Sequence, residues 1–481
     1  MTTPLSHPII ARQEDQRQED TRQIGAPLCL APQAGGRAAS PTLAINEAIA
    51  ARRATGRRVI HLGFGEASFP LHPTLRAALA EHATSTSYAP VLGIPALRQA
   101  IARYLSRTRG IAVPAERIAV GPGSKPLLYT LMQVLAGDLL LPAPSWVSYA
   151  PHAHLAGRQV IRVETAESDH HALTPQALSA ALERARQEGA DPRILLVNSP
   201  SNPTGAMFAR ADAEAVALWA RERGMTIISD EIYAELAHGW RAHVSPATFY
   251  PEGTIVTGGL SKAFSAGGWR LGYAALPETE AGGQALAALR ALASEIWSSA
   301  TTPVQEAAVV AFSPNAELET YVRRSAALHG HITGRLYQTL NALGILCARP
   351  AGGFYLYPDF APWRAALAAR GVTTSEGLAR LLLDEWDIAT LPGEAFGEQP
   401  EALRLRAATS LLCVPEEGTP AERKAALWDM LARADGLPAD DPAAGEPLPL
   451  PALERAQAGL AAFVTSLGEP ERGVGARNAH L

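Results

Sequence analysis

Lysine is nearly missing from this chain. Of 42 lysine and arginine residues only Lys125, Lys262 and Lys424 are lysine. Such a skew follows when arginine replaces lysine wherever charge alone is wanted. A lysine that survives is then a candidate for chemistry arginine cannot do, because only an amine can shed its proton and attack a carbonyl. Cysteine is as scarce. Cys29, Cys347 and Cys413 are far apart and form no C-x-x-C pair, which argues against a disulfide framework or a zinc ribbon and fits a reducing compartment. No apolar run approaches the ~20 residues that cross a bilayer. The first twenty residues, MTTPLSHPIIARQEDQRQED, lack the apolar stretch of a secretion signal. A cytoplasmic protein with no membrane partner is expected. A net charge of −5 without a long basic run argues against nucleic acid as a partner, and leaves small molecules.

What is present is a large core. The 481 residues are 47% apolar and 19% charged, enough for more than one domain. Residues 1–40 are polar and lack periodicity, and are predicted to form a flexible arm. From Arg117 short apolar runs alternate with helical stretches. The runs are Ile118 to Val120, Leu139 to Leu141, Val160 to Val163, Ile194 to Val197, Thr226 to Ser229, Ile255 to Thr257 and Gly272 to Leu276. The helical stretches include 125–136, 175–188 and 211–223. Runs buried on both faces and joined by crossover helices predict a mostly parallel α/β sheet. A helical segment over 319–343, a strand near Gly352 to Tyr357, a helix at 375–386, a strand at 403–407 and a helix at 420–433 predict a smaller α+β domain. The expected division is an arm at 1–40, the N-terminal part of the small domain at 41–85, a large domain at 86–320, the C-terminal part of the small domain at 321–434, and a linker and tail at 435–481, with a short helix at 452–467.

Candidate functional residues gather at the predicted carboxyl ends of strands, where open α/β sheets bind ligands. Lys262 follows a strand and the turn Gly258-Gly259. A free lysine has a pKa of about 10.4, so a reactive one must be buried or set beside positive charge. Arg270 supplies such charge and a planar fork for a phosphate. Taken alone, Ser261-Lys262 would suit a surface lysine equally well. Asp230 ends another run; a pyridinium nitrogen needs such an anion to keep its proton, although a single Asp more often caps a helix. Tyr233 lies on the same side of the following turn. Asn198-Ser199-Pro200-Ser201-Asn202-Pro203-Thr204-Gly205 is a rigid loop that would hold Asn202 still as a donor. Gly121-Pro122-Gly123-Ser124-Lys125 joins a strand to a helix and offers backbone N–H groups to an anion, but lacks the spacing of a nucleotide-binding loop. Trp146 could lay its indole on a planar ring, or be core.

Asn-Pro-Thr-Gly at 202–205, Ser-Asp-Glu-Ile-Tyr at 229–233 and Ser-Lys-Ala-Phe-Ser followed by Gly-Trp-Arg-Leu-Gly-Tyr at 261–273 resemble the class I/II aminotransferases, the aspartate aminotransferase-like branch of fold-type I pyridoxal-phosphate enzymes. The resemblance covers about residues 41–434. It implies a large domain with a mostly parallel seven-stranded sheet flanked by helices, a smaller α+β domain, and pyridoxal 5'-phosphate as cofactor. Lys262 would carry the cofactor as a Schiff base and shuttle the proton, and Asp230 would pair with the pyridine nitrogen. Tyr233 and Asn202 would donate to the ring oxygen. Arg270, Ser261, Gly123, Ser124 and Lys125 would hold the phosphate, and Trp146 would stack on the ring. Tyr88 would reach the phosphate of a neighbouring subunit, which implies a homodimer. Arg404 and the N–H of Gly65 would take the substrate α-carboxylate. The substrates would be an amino acid and a keto acid.

The pattern departs from the family in places. Gly65-Glu66-Ala67-Ser68-Phe69 stands where relatives usually read Gly-Glu-Pro-Asp-Phe. Arg406 replaces a small polar residue and shares a strand face with Arg404; it is expected at the surface, as most arginines are. The substrate side chain is expected near Trp297, residues 298–302 and Tyr355. The pairs His152/His154, His170/His171 and His329/His331 lack accompanying ligands, so no metal is expected. The expected activity is transamination. An enzyme that eliminates, replaces or cyclises instead, resembling aminocyclopropane-carboxylate synthase and acting on an S-adenosylmethionine-type substrate in specialised metabolism, is the alternative.

Overall fold

A computed structural model describes residues 41–166, 169–239, 241–438 and 448–471. The arm expected at residues 1–40 lies outside them. The strands, in chain order, are β1 (Ile60–His61), β2 (Ile118–Gly121), β3 (Asp138–Ala143), β4 (Val160–Glu164), β5 (Pro192–Asn198), β6 (Thr226–Asp230), β7 (Thr254–Gly259), β8 (Gly272–Ala275), β9 (Tyr355–Leu356), β10 (Ile388–Ala389), β11 (Leu391–Pro392) and β12 (Leu405–Ala408).

All the apolar runs between Ile118 and Leu276 fall in one sheet of order β2-β8-β7-β6-β5-β3-β4. The pairs β3–β4, β3–β5, β5–β6 and β6–β7 are parallel. Strand β8 runs antiparallel to both β2 and β7. Ile194, Leu195, Ile227 and Ile228 are fully buried, successive residues on opposite faces, which is why the runs are continuously apolar rather than alternating. The crossover helices Ser124–Val134, Pro175–Gln187 and Arg210–Glu222 cover the sheet. Thr174 caps the second by accepting from the Ala177 N–H, and Asp212 reaches back to the Ala209 N–H at the start of the third. In the register of the central strands Asn198 lies opposite Asp230, and Asp230 opposite Thr257. Three polar side chains thus meet at the carboxyl edge of the sheet.

A second core gathers β1, paired in parallel with β10, the three-stranded sheet β11-β12-β9, and the helices Ala316–Ala342, Ser375–Trp386 and Pro420–Arg433. The segment expected as linker and tail needs correction. Its helix, Pro451–Leu467, sets Leu453, Ala456, Leu460, Phe463 and Leu467 at helical spacing into this same core. The Pro- and Asp-rich stretch before it hid a core element; residues 439–447 and 472–481 lie outside the described ones. Strand β12 also begins later than its apolar pattern suggests, because Leu403 adopts a left-handed φ of 57°. Among the described residues no helix is long and apolar enough to cross a membrane.

Candidate active site

The carboxyl edge of the sheet opens into a cavity of about 340 Å³ between the two cores. Lys262 stands in the turn after β7, and its Nζ donates to the Gly65 carbonyl at 2.7 Å. Burial brings its pKa down to about 8; Arg406 and Arg270 push the same way, against Glu66 and Asp230. Near that pH the amine is half deprotonated, as a nucleophile requires.

Asp230 ends β6 facing the cavity and caps no helix. It accepts from the Tyr149 hydroxyl at 2.7 Å and from Thr257 Oγ1 at 3.1 Å, the latter set directly across the ladder. Burial raises its pKa to about 6, even though both hydrogen bonds favour the anion. A positive partner in the cavity would reverse that shift. Glu231 turns the other way, to Arg109, His243, Ser229 and Ser245. Burial alone would raise its pKa, but those partners hold it down to about 2. The two neighbouring carboxylates therefore share no site. Tyr233 also lines the cavity, its hydroxyl 2.7 Å from that of Tyr355.

The far end is built for an anion. Gly123, at φ 95°, precedes the helix Ser124–Val134, whose first residues Ser124 and Lys125 line the cavity. A Cβ at position 123 would strike the Arg270 guanidinium, so glycine lets that cation close on the helix start. Ser261 and Arg270 complete this end, and Trp146 walls one side with Lys125 Nζ 5.0 Å from its ring centroid. Buried Asp230 for a ring nitrogen, a recessed amine for an aldehyde and this cradle for a phosphate fit pyridoxal phosphate.

The arginines reverse the expectation. Arg406 is 1% exposed and lines the cavity. Its Nη2 donates to the Gly63 carbonyl at 2.5 Å and its Nη1 to Asn202 Oδ1 at 3.4 Å. Its guanidinium lies 5.1 Å from the Tyr355 ring and 5.2 Å from the Phe396 ring, with Nε buried and without a hydrogen-bond partner among the described residues. Arg404 is outside the cavity. It is clamped by Asp359 at 2.9 Å and Glu398 at 3.0 Å. Those two acids neutralise Arg404, while Arg406 meets no carboxylate at ion-pair distance among the described residues. Asp359 and Glu398, 45 and 6 residues from Arg404, neutralise that arginine just before β12 and leave the free charge to Arg406 within the strand.

Gly65 and Asn202 line the cavity as expected. Tyr88 does not, and is 91% exposed. Trp297 and residues 298–302 are likewise absent from the lining, whereas Tyr355 is present. Of the altered loop, Glu66 faces the cavity. Ser68 turns inward to the Ser410 carbonyl at 2.7 Å, and Ala67 and Phe69 are buried. Sequence reasoning missed Tyr149 and Thr257; the first lies three residues after Trp146, and the second needed the strand register.

The model of the family described as aminotransferase class I and II matches residues 57–411. An aspartate aminotransferase of Geobacillus stearothermophilus is 36% identical over 381 residues, covering 77% of this chain and 92% of the relative. An aspartate/prephenate aminotransferase of Thermus thermophilus is 33% identical over 379 residues, with the same two shares of 77% and 92%. The solved aspartate aminotransferase from Thermus thermophilus with maleate is similar at a TM-score of 0.72 and 29% identity, over 85% of this chain and 100% of that one.

Proposed function

The chain belongs to the class I and II aminotransferases and is a transaminase, and we propose that pyridoxal 5'-phosphate, a general trait of that family, is held in the cavity around Lys262. The observation that carries this reading is a recessed lysine, in a chain almost without lysine, facing a buried carboxylate across a cradle for an anion. When bound, the cofactor supplies an aldehyde carbon to which amines can bond and a conjugated ring that accepts the electron pair released at Cα.

The side chains divide the work. Arg270, Ser261, Lys125 and the helix start at Gly123 and Ser124 bind the phosphate. Asp230, its charge steadied by Tyr149 and Thr257, keeps a proton on the ring nitrogen. Tyr233 and Asn202 donate toward the ring oxygen, and Trp146 lies along the ring. Lys262 Nζ takes the proton from the substrate Cα and returns it. Arg406 grips the α-carboxylate beside Gly65, the role first expected of Arg404. Four cations, Lys125, Lys262, Arg270 and Arg406, line the cavity against Glu66 and Asp230. Those charges are taken up by the phosphate, the α-carboxylate and the reactive amine, so it is the relatives named for aspartate that support an acidic amino acid as donor and a keto acid as acceptor.

The exposure of Tyr88 supports its reaching into the cavity of a second copy, in a homodimer. Residues 86–320 would be the cofactor-binding domain and 41–85 with 321–434 the small one, joined by the helix Pro451–Leu467. The cytoplasmic location is proposed from the sequence alone. Lys262→Ala tests the central reading. The parent, loaded with cofactor, is expected to show a visible absorption band that the variant lacks, and the variant's kcat to fall by roughly 10⁴-fold. Equal spectra for the two proteins would overturn it.

A further inference from the structure

Tyr355 stands between the two halves of the site. Its hydroxyl is 2.7 Å from that of Tyr233, its ring faces the Arg406 guanidinium at 5.1 Å, and both tyrosines are buried. The backbone sets this placement. Gly353, at φ 68°, turns the chain into β9, and β9 lies antiparallel to β12 with Tyr355 opposite Ala408, two residues from Arg406. Position 65 conforms to it as well, since a Cβ there would overlap the Tyr355 hydroxyl. The same Gly65 accepts the hydrogen bond from Lys262. One phenol thus touches the tyrosine on the cofactor side, the arginine on the substrate side and the backbone that holds the reactive lysine.

We propose that Tyr355 is a positioning residue that couples Tyr233 to Arg406, its hydroxyl backing the Tyr233 proton and its ring serving as the shelf for the guanidinium. A hydroxyl has one proton and two acceptor sites. With Tyr355 donating to it, Tyr233 turns its own proton into the cavity, and a chain of two hydroxyls donates more strongly than one alone. The ring acts separately. It presents a negative face to Arg406, whose charge no carboxylate offsets among the described residues, and Phe396 closes the other approach at 5.2 Å. Two functions in one side chain predict two separable losses.

The inference rests on the reading of the cavity as a pyridoxal-phosphate site, and the experiment distinguishes the failure of each. In the holoenzyme the pH midpoint of the visible band is measured for the parent, Tyr355→Phe and Tyr355→Leu, with kcat and KM for the amino donor. A donor on the ring oxygen favours the deprotonated form of the linkage to Lys262, so a weaker donor raises the midpoint. Tyr355→Phe, which keeps the ring, is expected to move it upward by roughly half a unit to one unit with KM little changed. Tyr355→Leu is expected to add a rise in KM of roughly three- to thirtyfold, the range of a cation–ring contact. An unchanged midpoint in Tyr355→Phe would overturn the coupling while leaving the cavity reading intact, and it decides the matter even if Tyr355→Leu does not fold. A parent without a visible band would instead overturn the cavity reading.

Discussion

The two walls of the cavity are made by different rules. On the sheet wall Asp230, Lys262 and the 198–205 loop follow buried strands directly, so each is brought to the carboxyl edge by its own strand end. On the opposite wall β9 and β12 are two and four residues long, and Tyr355 and Arg406 take their places from partners far away in sequence. The first wall can be read from local pattern. The second is decided by which acids, rings and carbonyls the tertiary structure brings near.

The largest expected effect tests that contrast at the arginines. Arg406→Ala should lower kcat/KM by roughly 10²- to 10³-fold, the cost of losing a buried charged contact to the substrate. Arg404→Ala should leave kcat/KM within about threefold and instead cost about 2 kcal/mol of stability, because Asp359 and Glu398 would face each other without their cation. That figure is discounted because Arg404 is 23% exposed. Steady-state kinetics and denaturant melts of both variants separate the two outcomes. The reverse pattern would return the carboxylate to Arg404 and erase the difference between the walls.

The same contrast explains what could be read in advance. Seven strands and their crossover helices were legible because a strand buried on both faces must be apolar throughout, and that run is visible in one dimension. Lys262 and Asp230 were legible for the same reason, each marking the end of such a run. Arg406 was not. Positions 404 and 406 share a face of the expected strand at 403–407, and that pattern does not show that β12 starts only at Leu405 or that Asp359 and Glu398, 45 and 6 residues from Arg404, neutralise the first arginine. The helix Pro451–Leu467 was visible as a periodicity, but its burial against Ile60 and Ile388 was hidden by the linker-like stretch before it.

A middle-sized effect lies on the sheet wall, where charge is stored. Asp230 titrates at 3.8 as a free side chain and near 6 when buried, so folding of the cofactor-free protein holds its proton more tightly. The associated stability is present below about pH 4 and is lost as pH rises through 6, up to about 3 kcal/mol in all. Asp230→Asn, which keeps an acceptor for Tyr149 or Thr257, should remove this dependence. Denaturant melts of parent and variant without cofactor, at pH 5 and pH 8, should therefore show the variant gaining on the parent at the higher pH. A constant difference would mean that Asp230 is already balanced by a cation and is not waiting for one.

The smallest effect concerns the loop between the walls. Ser68 is one of the departures from the family pattern, three residues after Gly65 in the sequence. Its hydroxyl donates to the Ser410 carbonyl at 2.7 Å and lies 3.6 Å from Cys413 Sγ, on the side away from the cavity. Ser68→Ala should therefore cost about 1 kcal/mol of stability, the net worth of one hydrogen bond, and leave KM for donor and acceptor unchanged. If KM shifts while stability holds, residues 66–69 read the substrate, and the second wall extends further around the cavity than Tyr355 and Arg406. If stability alone falls, the departure at 68 is packing, and the substrate meets this loop only through Gly65 and Glu66.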